Sequence, residues 1–241
     1  MRLTVGVLTP HAAPGPEVEI PEMASARLEV VVAQLAEEPP SAAADLRTLA
    51  TPSALRPLVG SLVEASADVI AYASTTSGYA IGYAAEVELL ERLRQLAGVP
   101  VVSSGVAAVQ ALKAFGVRRV ALIHPPWFED EMADLGANYF REQQIDAVTL
   151  TATSLPNDPK QVQPEQVVDY VSTHADASIE AIFIAGNGFR AARAIGELER
   201  RTGQLVLEAN QVLLWALLAA TGSSLRIDGY GRLFSRRLPC L

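Results

Sequence analysis

The chain has 241 residues, of which 50% are hydrophobic, and a formal net charge of -8. This length suits one large α/β domain or two small ones with a sizeable core. Lysine and arginine do not cluster on any segment, which argues against nucleic acid as a partner. The longest apolar stretch, Val212–Ala220, is far shorter than the roughly 20 residues of a membrane helix, and the N-terminus lacks a signal-peptide core. We therefore expect a cytoplasmic protein with no membrane partner.

Short apolar segments rich in valine and isoleucine recur between longer segments of helical period. The predicted strands are, in chain order, LTVGVL, ADVIAYA, PVVSS, RRVALIH, AVTLTAT, AIFIAG and QLVLEA. The predicted helices are Pro21–Ala36, Ser53–Ala67, Ala84–Ala97, Val106–Phe115, Glu129–Gln143, Pro164–His174, Ala191–Arg201 and Gln211–Ala220. Gly98, Gly116 and Gly203 fit the ends of three of them. Several strands are apolar on both faces, which is typical of a parallel sheet covered on both sides.

The chain carries one pattern twice. ADVIAYASTTSGYAIG followed by GVPVVSSGVAAVQAL parallels the segment IEAIFIAGNGFRAARAIGELERRTGQLVLEANQVLLWALL. We predict an α/β fold of two similar Rossmann-like (flavodoxin-like) lobes, although any doubly wound domain repeats itself loosely. The first lobe would comprise residues 1–112 plus 213–241, and the second residues 113–212. The site is expected in the cleft between them, at the carboxyl ends of the strands. The segment Thr153–Pro164 is a loop or a flap over this cleft.

Four hydroxyl side chains, Ser74 to Ser77, follow the strand ADVIAYA where a helix should begin. A helix start with added hydroxyl donors can hold a carboxylate or a developing enolate, and Thr75 and Thr76 are the strongest candidates. The alternative is an ordinary helix cap, which explains one hydroxyl but not four.

The turn AGNGFRA permits a second interpretation. Gly186, Gly188 and Ala191 match a dinucleotide-binding glycine pattern, and Glu208 lies near the position of a ribose-binding acid. Nucleotide binding is therefore an alternative, but the corresponding turn of the first half lacks such glycines.

The histidines and the cysteine limit the possible chemistry. His11 and His124 each end a predicted strand, so either could act as a general acid or base, whereas His174 lies in a polar stretch. No metal-ligand spacing is present, and we predict neither a metal nor a cofactor. The single cysteine, Cys240, excludes intrachain disulfides and lies near the C-terminus, which is a poor place for a nucleophile.

The two α/β units, the hydroxyl-rich corners at matching positions, NQVLLWALL after the last strand and the closing GYGRLF point to a known family. The chain resembles the aspartate/glutamate racemase superfamily over nearly its whole length. Within that superfamily it is most similar to the branch of maleate cis-trans isomerases and arylmalonate decarboxylases. The resemblance implies a pseudo-twofold pair of lobes with the active site between them.

The resemblance also implies two facing cysteines, one on each lobe, that act as acid, base or nucleophile. Their positions fall on Ser74 and Gly186. The donors that the resemblance implies around a bound carboxylate are Thr75, Thr76, Asn187 and Gly188. A tyrosine that the family often places after the fourth strand is replaced in HPPWFE, which leaves Pro126 or Trp127 nearby.

Three hypotheses follow. The leading one is a cofactor-independent enzyme that decarboxylates or isomerises a small carboxylate through carbanion or enediolate chemistry. Its acid or base would be Ser74, His11 or His124, and its substrate-binding residues would be Thr75, Thr76, Gly186, Asn187, Gly188 and Trp127. The second is a non-catalytic binder of small carboxylates, and the third is a nucleotide-dependent oxidoreductase. A homo-oligomer is possible, since the helix containing Val212–Ala220 would suit a core or a dimer face.

Overall fold

Two four-stranded parallel sheets form the framework of the computed structural model, which describes residues 2–11, 15–36, 42–176 and 178–236. For His11 and Ala36 only the backbone is described, and Cys240 lies outside the described residues. The first sheet contains β1 (Leu3–His11), β2 (Leu28–Ala36), β3 (Val69–Tyr72) and β4 (Val101–Ser103), in the order β2-β1-β3-β4. The second contains β5 (Arg119–His124), β6 (Asp146–Thr151), β7 (Ala181–Ile184) and β8 (Leu205–Glu208), in the order β6-β5-β7-β8. Both sheets therefore repeat one strand order, which confirms the predicted α/β fold.

Helices connect the strands and cover the sheets. They are α1 (Pro16–Met23), α2 (Ala43–Leu49), α3 (Pro52–Glu64), α4 (Thr75–Ile81), α5 (Tyr83–Ala97), α6 (Ser104–Ala114), α7 (Asp130–Arg141), α8 (Pro164–His174), α9 (Ile195–Thr202) and α10 (Ala209–Ala220). Among the described residues, no helix combines the length and the apolar character that crossing a bilayer requires. The central strands β3 and β7 are buried along their whole length, and one hydrophobic cluster contains residues of both sheets.

The predicted helix Pro21–Ala36 is wrong. Its first part belongs to α1, and its second part is the strand β2, which pairs with β1 in parallel register from Leu3↔Leu28 onward. Three consecutive valines, at positions 30 to 32, favour a strand because β-branched side chains fit a pleated surface better than a helix. The turn between the two elements places Ser25 and Ala26 at positive φ, which reverses the chain.

The seven predicted strands are confirmed, and the other seven predicted helices agree with α3 and α5 to α10 within a few residues. Gly98 and Gly203 are the left-handed C-caps of α5 and α9, as their positions predicted. The segment Thr153–Pro164 contains one 3-10 turn, Pro159–Gln161, and is otherwise irregular. The short helix α2 was not predicted, and α4 was predicted only by its start at the Ser74–Ser77 corner, because each spans only about two turns.

Candidate functional site

The hydroxyl corner, residues 74–77, forms the start of α4 at the carboxyl end of β3. Ser74 is the N-cap, and its Oγ accepts a hydrogen bond from the Ser77 N–H at 3.2 Å and donates to Ser77 Oγ at 2.8 Å. Ser74 Oγ also lies 3.2 Å from Thr76 Oγ1. One hydroxyl thus caps the helix, and its own proton is bonded inside the corner. Thr76 is the one member of the corner that is not buried.

The corner meets a turn of the second lobe, residues 186–190, which follows β7. The Gly186 N–H donates to Thr75 Oγ1 at 3.1 Å, and the Thr75 N–H donates to Asn187 Oδ1 at 3.3 Å. Gly186 has φ 90°, and a Cβ built on it would lie 3.1 Å from Pro125 Cγ, so this position suits glycine. The two lobes therefore join through hydrogen bonds between Thr75 and residues 186–187, where the sequence placed the cleft.

Asn187 links this contact to two further turns. Its Nδ2 donates to Ser104 Oγ at 2.9 Å, at the start of α6, and to Asn210 Oδ1 at 2.7 Å, at the start of α10. Asn210 Nδ2 in turn donates to the Asn187 carbonyl at 2.9 Å and to Glu19 Oε2 at 2.6 Å. Both N–H groups of the Asn187 carboxamide are thus used inside the protein. We call Thr75, Ser104, Asn187, Asn210 and Glu19 the interlobe network.

Two buried carboxyl groups lie at this end of the network, Glu19 within it and Glu208 beside it. Glu19, on α1, also accepts from the Ala192 N–H at 2.9 Å, and burial raises its pKa to about 7 against the lowering effect of Asn210. Glu208, the N-cap of α10, accepts from the N–H groups of Asn210 and Gln211 at 2.8 and 2.9 Å. Burial raises the pKa of Glu208 well above its ordinary value, and the neighbouring charge of Glu19 raises it further. Glu208 is fully buried in this cap, so it does not serve the nucleotide-binding hypothesis as an accessible ribose ligand.

A second buried polar cluster, formed by Glu86 and Tyr139, lies against α4 and α6. Glu86, on α5, accepts a hydrogen bond from the Tyr139 hydroxyl of α7, which belongs to the second lobe. Its carboxyl group lies against Gly78 of α4 and Gly105 of α6, where any Cβ would come within 2.8 Å of Glu86 Oε2. Burial raises the pKa of Glu86 to about 7, although its bond to Tyr139 acts in the opposite direction.

The two predicted histidines have different surroundings. His124 ends β5, is fully buried, and packs between the rings of Tyr79 and Phe128 at centroid distances of 5.9 and 5.2 Å. Burial lowers its pKa to about 4, so it is neutral at physiological pH. Neither ring nitrogen has a hydrogen-bond partner among the described residues. For His11, the last residue of β1, only the backbone position is described.

Aromatic packing and a tight backbone contact enclose the 186–190 turn. Trp127 is half-buried and packs edge-on against Phe189, with ring centroids 5.7 Å apart. On the side of the first lobe, a Cβ on Gly15 would lie 1.9 Å from the Asn187 carbonyl oxygen and 3.3 Å from Gly188 Cα. The structure thus brings Thr75, Gly186, Asn187, Gly188 and Trp127 to one region. A separate depression of about 240 Å³ lies near Gly116 and Gly203, before β5 and β8, and includes none of these residues.

The site was predicted at the carboxyl ends of the strands, but Ser104 and Asn210 were not singled out there. Their signal was the polar turn after β4 and after β8 in the repeated pattern. Glu19 was missed, because it lies inside a helix and nothing in its spacing indicates a buried carboxylate. No cluster of histidine, cysteine or acidic residues that could hold a metal ion is found in the described part of the chain.

Comparisons with known proteins agree with this architecture. A family model described as arylmalonate decarboxylase matches residues 55–234, most of the chain. The chain belongs to the arylmalonate decarboxylase family. This assignment places it in the racemase-superfamily branch that the sequence resembled.

Relatives of this chain include a decarboxylase and an isomerase. An arylmalonate decarboxylase from Bordetella bronchiseptica is 26% identical over 178 residues, which cover 72% of this chain and 73% of the relative. A maleate isomerase from Pseudomonas putida is 25% identical over 183 residues, with 72% of each chain covered. Among solved structures, a maleate isomerase variant from Pseudomonas putida with maleate superposes with a TM-score of 0.87 at 22% identity, covering 97% of each chain. A liganded variant of arylmalonate decarboxylase gives a TM-score of 0.82, also at 22% identity, and covers 96% of this chain and 98% of its own. The structural likeness shows the shared fold.

Proposed function

We propose that this chain is a cofactor-independent enzyme that decarboxylates or isomerises a small carboxylate or dicarboxylate. The observation that supports it most directly is the meeting of Thr75 with residues 186–187 at the carboxyl ends of β3 and β7. Membership of the arylmalonate decarboxylase family, whose relatives include a decarboxylase and a maleate isomerase, supports the same chemistry.

The chemistry requires donors for a negatively charged oxygen pair. In a decarboxylation, the bond between the α-carbon and one carboxyl group breaks and CO2 leaves. The electron pair of that bond stays on the α-carbon and is delocalised into the remaining carboxylate, which gives an enediolate. The hydroxyl groups of Thr75 and Thr76 and the backbone N–H groups near Gly188 would stabilise that charge. A proton then adds to the α-carbon. Ser74 and His11 remain the candidate donors of that proton, together with His124.

In this proposal a substrate carboxylate competes with contacts inside the protein. The Thr75 N–H is bonded to Asn187 Oδ1, and the Gly186 N–H is bonded to Thr75 Oγ1. A bound carboxylate would take the place of one or both acceptors. The hydroxyl group of Thr75 can still donate, since Oγ1 uses only a lone pair in the bond from Gly186.

A non-catalytic carboxylate binder is the second candidate. The observation in its favour is that the proton of Ser74 is bonded to Ser77, while the lowered pKa of His124 keeps that ring in its neutral, weakly acidic form at neutral pH. Both proposals predict binding of small carboxylates, but only the first predicts turnover.

Thermal unfolding with maleate, malonate and phenylmalonate tests binding. A ligand at a hundred times its Kd stabilises the native state by about 2.7 kcal/mol, which raises Tm by roughly 5–10 °C for a chain of this size. We expect Thr75→Val to abolish this rise, whereas Thr173→Val, which makes the same change on the exposed face of α8, keeps it. If no carboxylate raises Tm in the parent protein, both proposals are wrong.

Proton NMR in deuterium oxide then separates enzyme from binder. An enzyme releases CO2 from the malonates with deuterium incorporation at the α-carbon, or converts maleate to fumarate. A binder leaves every stabilising ligand unchanged.

A further inference from the structure

Three hydrogen bonds of the interlobe network form a chain of donors that leads from Thr75 to Glu19. The Thr75 N–H donates to Asn187, the Asn187 carboxamide donates to Asn210, and the Asn210 carboxamide donates to Glu19. Asn187, Asn210 and Glu19 are at most 5% exposed, so solvent does not compete for these bonds. The chain of donors ends at a carboxyl group, which can accept without donating only when it is ionised.

The surroundings of Glu19 require both of its oxygens to accept. Oε1 faces the Ala192 N–H at 2.9 Å, and Oε2 faces Asn210 Nδ2 at 2.6 Å. A proton on either oxygen would make that oxygen a weaker acceptor, and one of these two bonds would be weakened. Asn210 cannot compensate by turning over, because its Nδ2 also donates to the Asn187 carbonyl.

Glu208 has the opposite arrangement. Its Oε2 accepts from two backbone N–H groups, whereas its Oε1 is buried and faces no hydrogen-bond donor in the described part of the chain. An oxygen without a donor partner is the one that can carry a proton. The geometry therefore assigns the negative charge to Glu19 and the proton to Glu208.

We infer that Glu19 is a positioning residue of the interlobe site: its ionised carboxylate holds Asn210, and through it Asn187, against Thr75, while Glu208 keeps its proton. The effect of Glu19 on the positions of Asn210 and Asn187 does not depend on a ligand. Its effect on ligand affinity rests on the proposed function. Because Glu19 is at the end of the chain of donors, its protonation removes an acceptor and loosens Asn210 and then Asn187.

The pH range follows from the groups around Glu19. Burial raises its pKa to about 7, so the ionised form is lost as the pH falls through about 7. Five charged or titratable groups influence Glu19 electrostatically. They come from α1, the turn after β7, the 3-10 turn before α9, the N-cap of α10 and the C-terminal segment, and they are Glu22, Arg190, Arg193, Glu208 and Tyr230.

Side-chain amide signals in a 15N-labelled sample test the inference without any ligand. The signals of Asn187 and Asn210 are assigned by their disappearance in Asn187→Ser and Asn210→Ser. We expect both to shift with a common midpoint near pH 7 in the parent protein. Glu19→Gln should abolish this titration. Glu86→Gln, which removes another buried carboxyl group whose pKa is also raised to about 7, should retain it.

Two results would overturn the inference. One is a titration of the two amides that persists in Glu19→Gln. The other is the absence of any titration of the two amides near pH 7 in the parent protein. If Glu19→Gln does not fold, Glu19→Asp decides the question, because a shorter carboxylate changes the midpoint. An unchanged midpoint in Glu19→Asp would show that another group titrates.

Ligand affinity provides the second measurement. For whichever carboxylate raises Tm, we expect Kd to increase up to tenfold for each pH unit below 7. This pH dependence of Kd should be lost in Glu19→Gln and retained in the control variant Glu86→Gln. If the amides titrate as expected but no carboxylate binds at any pH, the proposed function is refuted and the inference about Glu19 is supported. If carboxylates bind while the amides do not titrate, the inference is overturned and the proposed function is retained.

Discussion

Replacement of Glu86 by glutamine should change how stability depends on pH. The carboxyl group is fully buried between the starts of α4 and α6 and accepts a hydrogen bond from Tyr139. Glutamine has nearly the same shape, and its oxygen can accept the same bond. The substitution therefore removes the ionisation of the side chain and changes its packing little.

The magnitude follows from the raised pKa. Burial raises the pKa of Glu86 from 4.5 to about 7, and each pH unit of difference corresponds to about 1.4 kcal/mol. In the folded protein Glu86 therefore keeps its proton up to about pH 7, whereas in the unfolded chain it loses the proton near pH 4.5. The folded state binds more protons between these values, so this group's contribution to stability is present below pH 4.5 and is lost as the pH rises to 7. The full loss is about 3 kcal/mol.

Urea unfolding followed by circular dichroism from pH 4.5 to 8 measures this effect. We expect the free energy of unfolding of Glu86→Gln, relative to the parent protein, to rise by about 3 kcal/mol over this range and then to level off. The other buried carboxyl groups, Glu19 and Glu208, are present in both proteins and cancel to first order. Glu88→Gln makes the same change on the exposed face of α5 and should show no comparable rise. A difference between Glu86→Gln and the parent protein that does not vary with pH would refute the reasoning.

Backbone geometry and capping give three further predictions, each measured as a free energy of unfolding in urea. Gly186→Ala should destabilise by about 1–3 kcal/mol, because φ is 90° there; no loss of stability would contradict the described turn. Gly78→Ala should destabilise by about 1–3 kcal/mol, since its Cβ would lie 2.6 Å from Glu86 Oε2, whereas Gly60→Ala in α3 meets no atom within 4 Å and should stabilise by about 0.5–1 kcal/mol. Equal effects at the two helical glycines would be inconsistent with the tight contact. Ser74→Ala should cost about 1 kcal/mol through loss of the α4 cap, and a neutral result would show that the cap bond to Ser77 is absent.

The strands were predictable from the sequence where a short segment is apolar on both faces. β3, β5 and β7 are short, apolar on both faces and followed by polar turns, so their burial and their parallel pairing follow from the sequence. β2 was predicted as helix, because its apolar residues also fit a three- and four-residue spacing. At an edge of the sheet its burial alternates irregularly, and pairing with β1 decides the conformation.

The corner Ser74–Ser77 was predictable as part of an interlobe site because it combines a strand end, a helix start and hydroxyl groups. The partners of Thr75 were predictable only as turns. The hydrogen bonds that select Asn187, Asn210 and Glu19 join positions 112, 23 and 191 residues apart in sequence. No local pattern encodes which of several polar residues in a turn faces inward. The three-dimensional arrangement of both lobes determines it.

Gly186 illustrates how this arrangement bears on the proposed chemistry. The resemblance to the racemase superfamily implies a cysteine at this position, but here a positive φ and the close Pro125 ring favour glycine, and the backbone N–H of Gly186 bonds to Thr75. The position therefore has no thiol, and its backbone N–H is the only donor that it contributes. Under the proposed function, proton transfer must then use another group, while Glu19 acts at a distance by fixing the two asparagines. The pH dependence of turnover would therefore report two ionisations of different origin, and only the one near pH 7 should vanish in Glu19→Gln.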